Sequence, residues 1–320
     1  MQLLVRLICA ALALVCSGAF AQDTWPSKPI SLVIPFAAGS GTDSVGRVIA
    51  QKLSERLKQQ VIVDNKAGAS AQIGAEYVAK ARADGYTLLM TTNTSHSANP
   101  SLFKTLRYDP IRDFTPIVRT GDLPFALVVS AASPVKTVKD LVDFARANPG
   151  KVSYATPNST SLVASETIRV MAKIDIVGIP YKSSPQALTD LMGGQLQMYV
   201  VDFGSGLPSI KGGKVRALAV MAARRSSILP DTPPMADSLP GFDIISWNGI
   251  FGPANLPRPI VERLSNEVQA ILAEKDVQEK LSNIGFEVSP SRSPEEFTKY
   301  VGDQLALWTR LIKQANIQPE

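Results

Sequence analysis

The chain has 320 residues, 45% of them hydrophobic, with 33 Lys and Arg against 28 Asp and Glu, one histidine and two cysteines. That is enough apolar material for a self-supporting core, and the charges are scattered, with no basic run interleaved with aromatics, which excludes nucleic acid as a partner. One histidine, with both cysteines at the extreme N-terminus, excludes the zinc patterns, and no calcium-loop spacing is present, so no metal and no cofactor is expected.

Residues 1–21 read as an export leader: Arg6 supplies the basic region, 7–15 the apolar core, and Ala19-Phe20-Ala21 a small-x-small cleavage site. The apolar run is too short to span a bilayer. Cys16 invites a lipoprotein reading, but Val15 before it fits that signal poorly. Cleavage after Ala21 removes Cys9 and Cys16 and leaves a mature chain with a net charge of about +4. Such a chain is expected in the periplasm, held by its core without disulfides. Its mild positive excess suits an anionic ligand and equally suits an ordinary surface.

The first fold unit follows at once. Residues 30–35 form an apolar β-rich run, 36–42 a loop of small residues, and 43–57 an amphipathic helix with Val45, Val48, Ile49, Leu53 and Leu57 on one face. Asp43 or Thr42 is the expected N-cap. Gly39 and Gly41 leave the loop backbone open to close approach. Backbone donors at a positive helix end, aimed out of the carboxyl edge of a sheet, make an anion site. A strand at 61–64, a helix at 73–81 and a strand at 86–91 repeat the alternation, which predicts a parallel sheet with crossover helices and every strand end on one edge. The hydroxyl- and amide-rich stretch 91–97 is then a loop at that same edge, where ligands of open α/β sheets sit.

An extended apolar run at 123–130, after a Gly-Asp turn, leads into a second block: helix 138–147, strand 152–156, helix 162–171, strand 174–181, helix 185–192, strand 196–202 and strand 215–221. Its edge loops are 157–161, 181–184 and 202–206. A Pro-rich connection at 229–240, an extended segment at 247–253, helices at 260–273 and 277–281, and a terminal helix at 294–312 packing on the first block complete the chain. Two α/β blocks facing across a cleft result.

Catalytic patterns do not assemble. His96 has no G-x-S-x-G serine to serve and reads as a loop residue near the cleft. Gly39-Ser40-Gly41 starts a dinucleotide fingerprint, but Ser44 stands where its last glycine belongs, and Arg47 follows Gly46 where a phosphate-binding loop needs Lys. Loops of Ser, Thr, Asn and Gly donate hydrogen bonds without titrating, which suits carboxylate capture and not proton transfer. The chain is therefore read as a binding protein and not an enzyme.

The segments 25–43, 73–89, 99–117, 181–195 and 247–253 together resemble the Bug family, the substrate-binding proteins of tripartite tricarboxylate transporters, over essentially the whole mature chain. The resemblance implies a type II periplasmic-binding-protein fold, two α/β lobes with a ligand cleft between them: residues 22–123 with 241–320, and residues 124–240. It implies a periplasmic receptor that captures a small carboxylate by lobe closure and presents it to the membrane permease subunits as a monomer; the alternative is a sensor for a membrane kinase, without transport. The candidate ligand-binding residues are Phe36, Ser40, Gly41, Thr42 and the capping Asp43 in the first loop, Thr92, Asn93 and Thr94 beside it, and Thr156, Asn158, Ser159, Thr160 and Tyr181 from the facing lobe. Asp202 meets an amino or hydroxyl group of the ligand or serves as a turn or cap. Four positions depart from the family pattern: Ser40 replaces the second glycine of the first loop, Asn158 and Thr160 stand at glycines of the second-lobe loop, and Ser183 replaces another. Thr160, being β-branched, would resist a left-handed backbone, so either that loop is rebuilt or its donors are side chains.

Overall fold

The computed structural model describes residues 25–320; the leader expected at 1–21 lies outside the described residues. The first sheet begins with β1 (Ile30–Ile34), β2 (Val61–Asn65) and β3 (Thr87–Thr92), with β2 and β3 parallel to β1 on either side. α1 (Gly41–Leu57) and α2 (Gln72–Ala79) make the crossovers. Ile30, Leu32 and Ile34 of β1 pack with Val45, Ile49 and Leu53 of α1, whereas Val33 turns to the opposite face, against Ala75 and Val78 of α2. Successive strand residues point to opposite faces, and both faces are covered. That is why the strand is apolar throughout and not alternating.

After Thr92 comes a short π-helix (Thr94–Ala98) that runs directly into α3 (Asn99–Leu102). The stretch read as a polar edge loop is therefore helical, and Thr94 to Ala98 are fully buried. β4 (Phe114–Leu123) then crosses to the second sheet, with only Pro124 separating it from β5 (Phe125–Ser130). The Gly-Asp pair is not a turn: Gly121, at φ +154°, sits at a register shift inside β4 where it pairs with β10 (Ser246–Pro253). The second sheet carries α4 (Val138–Ala147), β6 (Val152–Thr156), α5 (Ser159–Ala172), β7 (Ile176–Pro180), α6 (Ser184–Met192), β8 (Tyr199–Asp202), α7 (Phe203–Lys211) and β9 (Val215–Val220). β5 pairs antiparallel with β8 and β9, β6 pairs parallel with β7, and a bridge from Tyr154 to Met198 joins the two groups.

β10 returns to the first sheet, antiparallel to β3 and β4, and is followed by α8 (Arg258–Ala273), α9 (Lys275–Asn283), β11 (Glu287–Val288) and α10 (Pro294–Gln314). The first sheet thus has the order β11-β4-β10-β3-β1-β2. α10 does not belong to the first lobe alone. Its Phe297 and Val301 pack with Trp247 and Phe251, while Trp308 and Ile312 lie in the second lobe's core beside Val129, Val163 and Ile168. Ala98 and Leu102 enter that same core. The two lobes are therefore joined by two crossing strands and two shared helical segments.

Candidate functional site

Four helices begin around one small cavity on the floor between the lobes. Its walls are Phe36, Ser40, Gly41, Thr42, Thr92, Thr94, Leu123, Phe125, Asn158, Thr160, Ser184, Asp202 and Ser246, and its free volume is about 30 Å³. It opens towards a mouth of about 670 Å³ lined by residues 67–71 with Phe36 on one lip and by Thr156, Pro157, Asn158 and residues 180–184 on the other. Phe36, Ser40, Asn158 and Ser184 border both spaces.

The first of these helix ends is built by Ser40, not by Asp43 or Thr42. Ser40 is extended (φ −72°, ψ 161°), and its Oγ accepts the Asp43 N–H at 3.2 Å. Asp43 reaches back to accept the Gly39 N–H at 2.9 Å and also accepts from Arg47 and Asn65. Burial pushes the Asp43 carboxyl up, but the bonds from Arg47, Gly39 and Asn65 together hold it below its usual range. It lines neither space and braces the loop from behind. The left-handed residue is Gly39 (φ +80°), so the replacement of a glycine by Ser40 is free of strain.

The second-lobe loop is rebuilt as a helix cap. Asn158 is extended (φ −151°, ψ 166°), its Oδ1 accepts the Ser161 N–H at 2.9 Å, and Ser159 and Thr160 already belong to α5. Neither Asn158 nor Thr160 has a positive φ, so the side chains at the two glycine positions cost no backbone strain. Ser183 caps α6 in the same way, accepting the Gln186 N–H. Asp202 caps α7, accepting the Ser205 N–H at 2.8 Å and the Ser184 hydroxyl at 3.3 Å. It is a cap and it also faces the cavity. Burial raises its carboxyl above the usual range despite the bonds from Ser205 and Ser184.

A buried polar seam closes the floor. Asn93 donates to Thr160 Oγ1 at 2.9 Å, Ser159 donates to Thr94 Oγ1 at 2.9 Å, and Ser246 donates to Asn93 Oδ1 at 2.5 Å. Asn93 and Ser159 are consumed in this seam and line neither space. Thr156 and Tyr181 border the mouth only; the Tyr181 hydroxyl donates to Asp190. The other candidates, Phe36, Ser40, Gly41, Thr42, Thr92, Thr94, Asn158, Thr160 and Asp202, come together at the cavity.

Several lining residues were not anticipated. Leu123, Phe125 and Ser246 belong to the crossing strands, and Ser184 is the first residue of α6. The lip at 67–71 holds Ala69, Ser70 and Ala71 at φ 47°, 50° and 70°. The small-residue composition of 65–70 marks that lip as a loop but not as part of the cleft. His96 is not near the cleft surface: it is fully buried, its Nδ1 is 2.9 Å from Ser95 Oγ, and its ring stacks on Phe251 with centroids 4.0 Å apart. Burial lowers its pKa to about 3. It is a neutral core residue.

Two α/β lobes, crossing strands and a cleft ringed by helix N-termini define the periplasmic-binding-protein fold. Residues 45–317 match the tripartite tricarboxylate transporter family receptor, and the chain belongs to that family. A protein encoded in the tcbD-tcbE intergenic region of Pseudomonas sp. strain P51 is 37% identical over 94% of this chain and 91% of its own length. Rpa4515 of R. palustris, solved with adipate, superposes with a TM-score of 0.90 at 34% identity, covering 92% of this chain and 100% of that one. MatC of Rhodopseudomonas palustris, solved with malate, superposes with a TM-score of 0.85 at 28% identity, covering 90% and 100%.

Proposed function

We propose that the chain is an exported, periplasmic receptor that captures a small carboxylate between its lobes and delivers it to a tripartite tricarboxylate-type permease. The supporting observation is the convergence of the N-terminal turns of α1, α5, α6 and α7 on one cavity whose walls hold no Lys, Arg or His. A helix N-terminus favours an anion by about 0.3–1 kcal/mol, up to about 2 when partly buried. Four such ends plus apolar contact with Phe36, Leu123 and Phe125 are of the size needed for the roughly −8 kcal/mol of a micromolar ligand. Adipate and malate in two similar proteins are both dicarboxylates, so a small dicarboxylate is the class to try first.

Thermal unfolding of the purified mature chain with adipate, malate, monocarboxylates and uncharged diols tests the reading. A bound acid at 100 times its Kd adds about 2.7 kcal/mol. No stabilisation by any acid would overturn it. Uptake of the labelled acid in a strain lacking the gene tests delivery: loss of uptake supports the permease, and unchanged uptake with lost induction supports the kinase sensor.

A further inference from the structure

The crossing strands have two faces, and only one looks at the ligand cavity. Leu123 and Ser246 line the cavity, whereas their neighbours Asp122, Pro124 and Ile245 line a second pocket of about 40 Å³, and Phe125 borders both spaces. Side chains alternate across a strand, so this pocket lies on the other side of the hinge strands, with the Phe125 ring between it and the cavity. One wall is Asp122 and Glu287 of the first sheet, which are cross-strand partners of β4 and β11. The other wall is the segment after β9, with Met221, Arg224 and Arg225. Arg224 reaches Glu287 across the gap, with Nη2 and Oε2 3.9 Å apart. Asp122 is already paired with Arg119 on its own strand, which leaves Glu287 as the partner offered to the second lobe.

We infer that Arg224 and Glu287 set the carboxylate affinity without touching the ligand, by a tie across the back of the hinge that resists closure. Rotation about an axis in the crossing strands moves groups on their two sides in opposite senses. Bringing the lips at 67–71 and 180–184 together draws the Met221–Arg225 segment away from Glu287 and lengthens the 3.9 Å pair. The tie therefore favours the open form, and its loss shifts the population towards the closed form that a ligand selects. Arg224 is 82% exposed, so the effect is that of a surface ion pair, about a two- to five-fold change in Kd. Arg224→Glu sets three acids around the same gap and pushes the back apart, so its effect is the larger.

The inference rests on the lobe-closure reading above, and its test separates the two. The chain beyond the leader has no cysteine, so spin labels at Lys80→Cys on the first lobe and Gln186→Cys on the second report the lobe separation in ligand-free protein. Arg224→Ala and Arg224→Glu are expected to shorten that distance progressively, and Arg224→Glu with Glu287→Arg to restore it. Titration with adipate is expected to give a tighter Kd in the same order. An unchanged or lengthened distance in both single variants overturns the inference. If the distance shortens while no carboxylate binds any variant, the hinge tie stands and the ligand reading falls.

Discussion

Gly41 tests the geometry of the cleft floor most directly. A methyl group built there falls 2.3 Å from Asp202 Oδ1 and 2.8 Å from Leu123 Cδ2. Neither neighbour can yield freely: Asp202 is held by Ser205 and Ser184, and Leu123, 3% exposed, lies on the crossing strand. Overpacking of this kind costs about 1–3 kcal/mol. Alanine regains only part of its helix preference of just under about 1 kcal/mol at the first helical position, so Gly41→Ala is a net loss. For a chain of this size that is a fall in Tm of a few degrees, at about 2 °C per kcal/mol. Gly46→Ala is the control. Its methyl meets Ile34 Cδ1 at 2.4 Å and Met90 Sδ at 3.3 Å, the flexible ends of core side chains away from the cavity. Calorimetry with and without adipate should show Gly41→Ala losing both stability and ligand response, and Gly46→Ala losing stability alone. Wild-type stability and affinity in Gly41→Ala would refute the contact between α1 and α7 on which the floor is built.

Restoring glycine at the two departures should not help: Asn158→Gly is expected within a few tenths of a kcal/mol of wild type, and Thr160→Gly about 1–2 kcal/mol less stable in urea unfolding because Asn93 loses its buried acceptor. A gain in either would mean that the loop needs a left-handed residue. His96, neutral in the fold with its pKa lowered to about 3, contributes stability that is full above its unfolded value near 6.5 and is lost as pH falls from there. His96→Phe should remove most of that acid-side slope, about 1.4 kcal/mol per pH unit, from a plot of unfolding free energy between pH 6 and 4. Asp202 has the opposite sign: its folded pKa is raised, so its contribution is full below about pH 3.8 and lost as pH rises through the raised value. Asp202→Asn keeps an N-cap and should gain on the wild type in thermal unfolding as pH is raised from 4 to 7; a gap that shrinks over that range would contradict the assignment.

Where local and tertiary preferences agree, the sequence was enough. α4, with its Thr137 cap and clean apolar spacing, and β6 fall on the bounds their pattern predicts. Where they disagree, it was not. α7 is FGSGLPSIK, with two glycines and Pro208, and no propensity argument makes that a helix. It exists because Asp202 caps it and because Phe203, Gly206 and Leu207 are buried. Residues 91–97 read as a polar loop at the ligand edge because Thr, Asn, Ser and His are polar; composition reports polarity, not partners. Their partners lie far along the chain or within the turn: Ser95 bonds Thr91 at 2.7 Å and accepts from Tyr108 through its carbonyl, and Thr94 accepts from Ser159. The cap residue of α1 was missed by two or three positions because Ser40, Thr42 and Asp43 are all capable caps, and only the left-handed Gly39 decides among them.

On the proposed reading, the absence of a basic side chain from the floor of the cleft, with Lys182 standing out at the second lobe's lip, is a design for release as much as for capture. A lysine or arginine on one lobe would hold an anion whether the lobes were together or apart. Helix ends cannot: their pull fades within the first turn, and the four ends belong to different lobes, α1 on the first sheet and α5, α6 and α7 on the second. Opening the cleft therefore withdraws three of the four at once. At about 0.3–1 kcal/mol each, and up to about 2 where buried, that removes about 1–6 kcal/mol, a loss of affinity from about five-fold to about twenty-thousand-fold. Asp202 sharpens the contrast, because its cap position fixes a carboxyl beside the cavity and penalises an anion that is not also gripped by the surrounding donors. Such a site binds tightly only when closed, and a permease that pries the lobes apart needs to break no ion pair on the cavity floor to take the ligand.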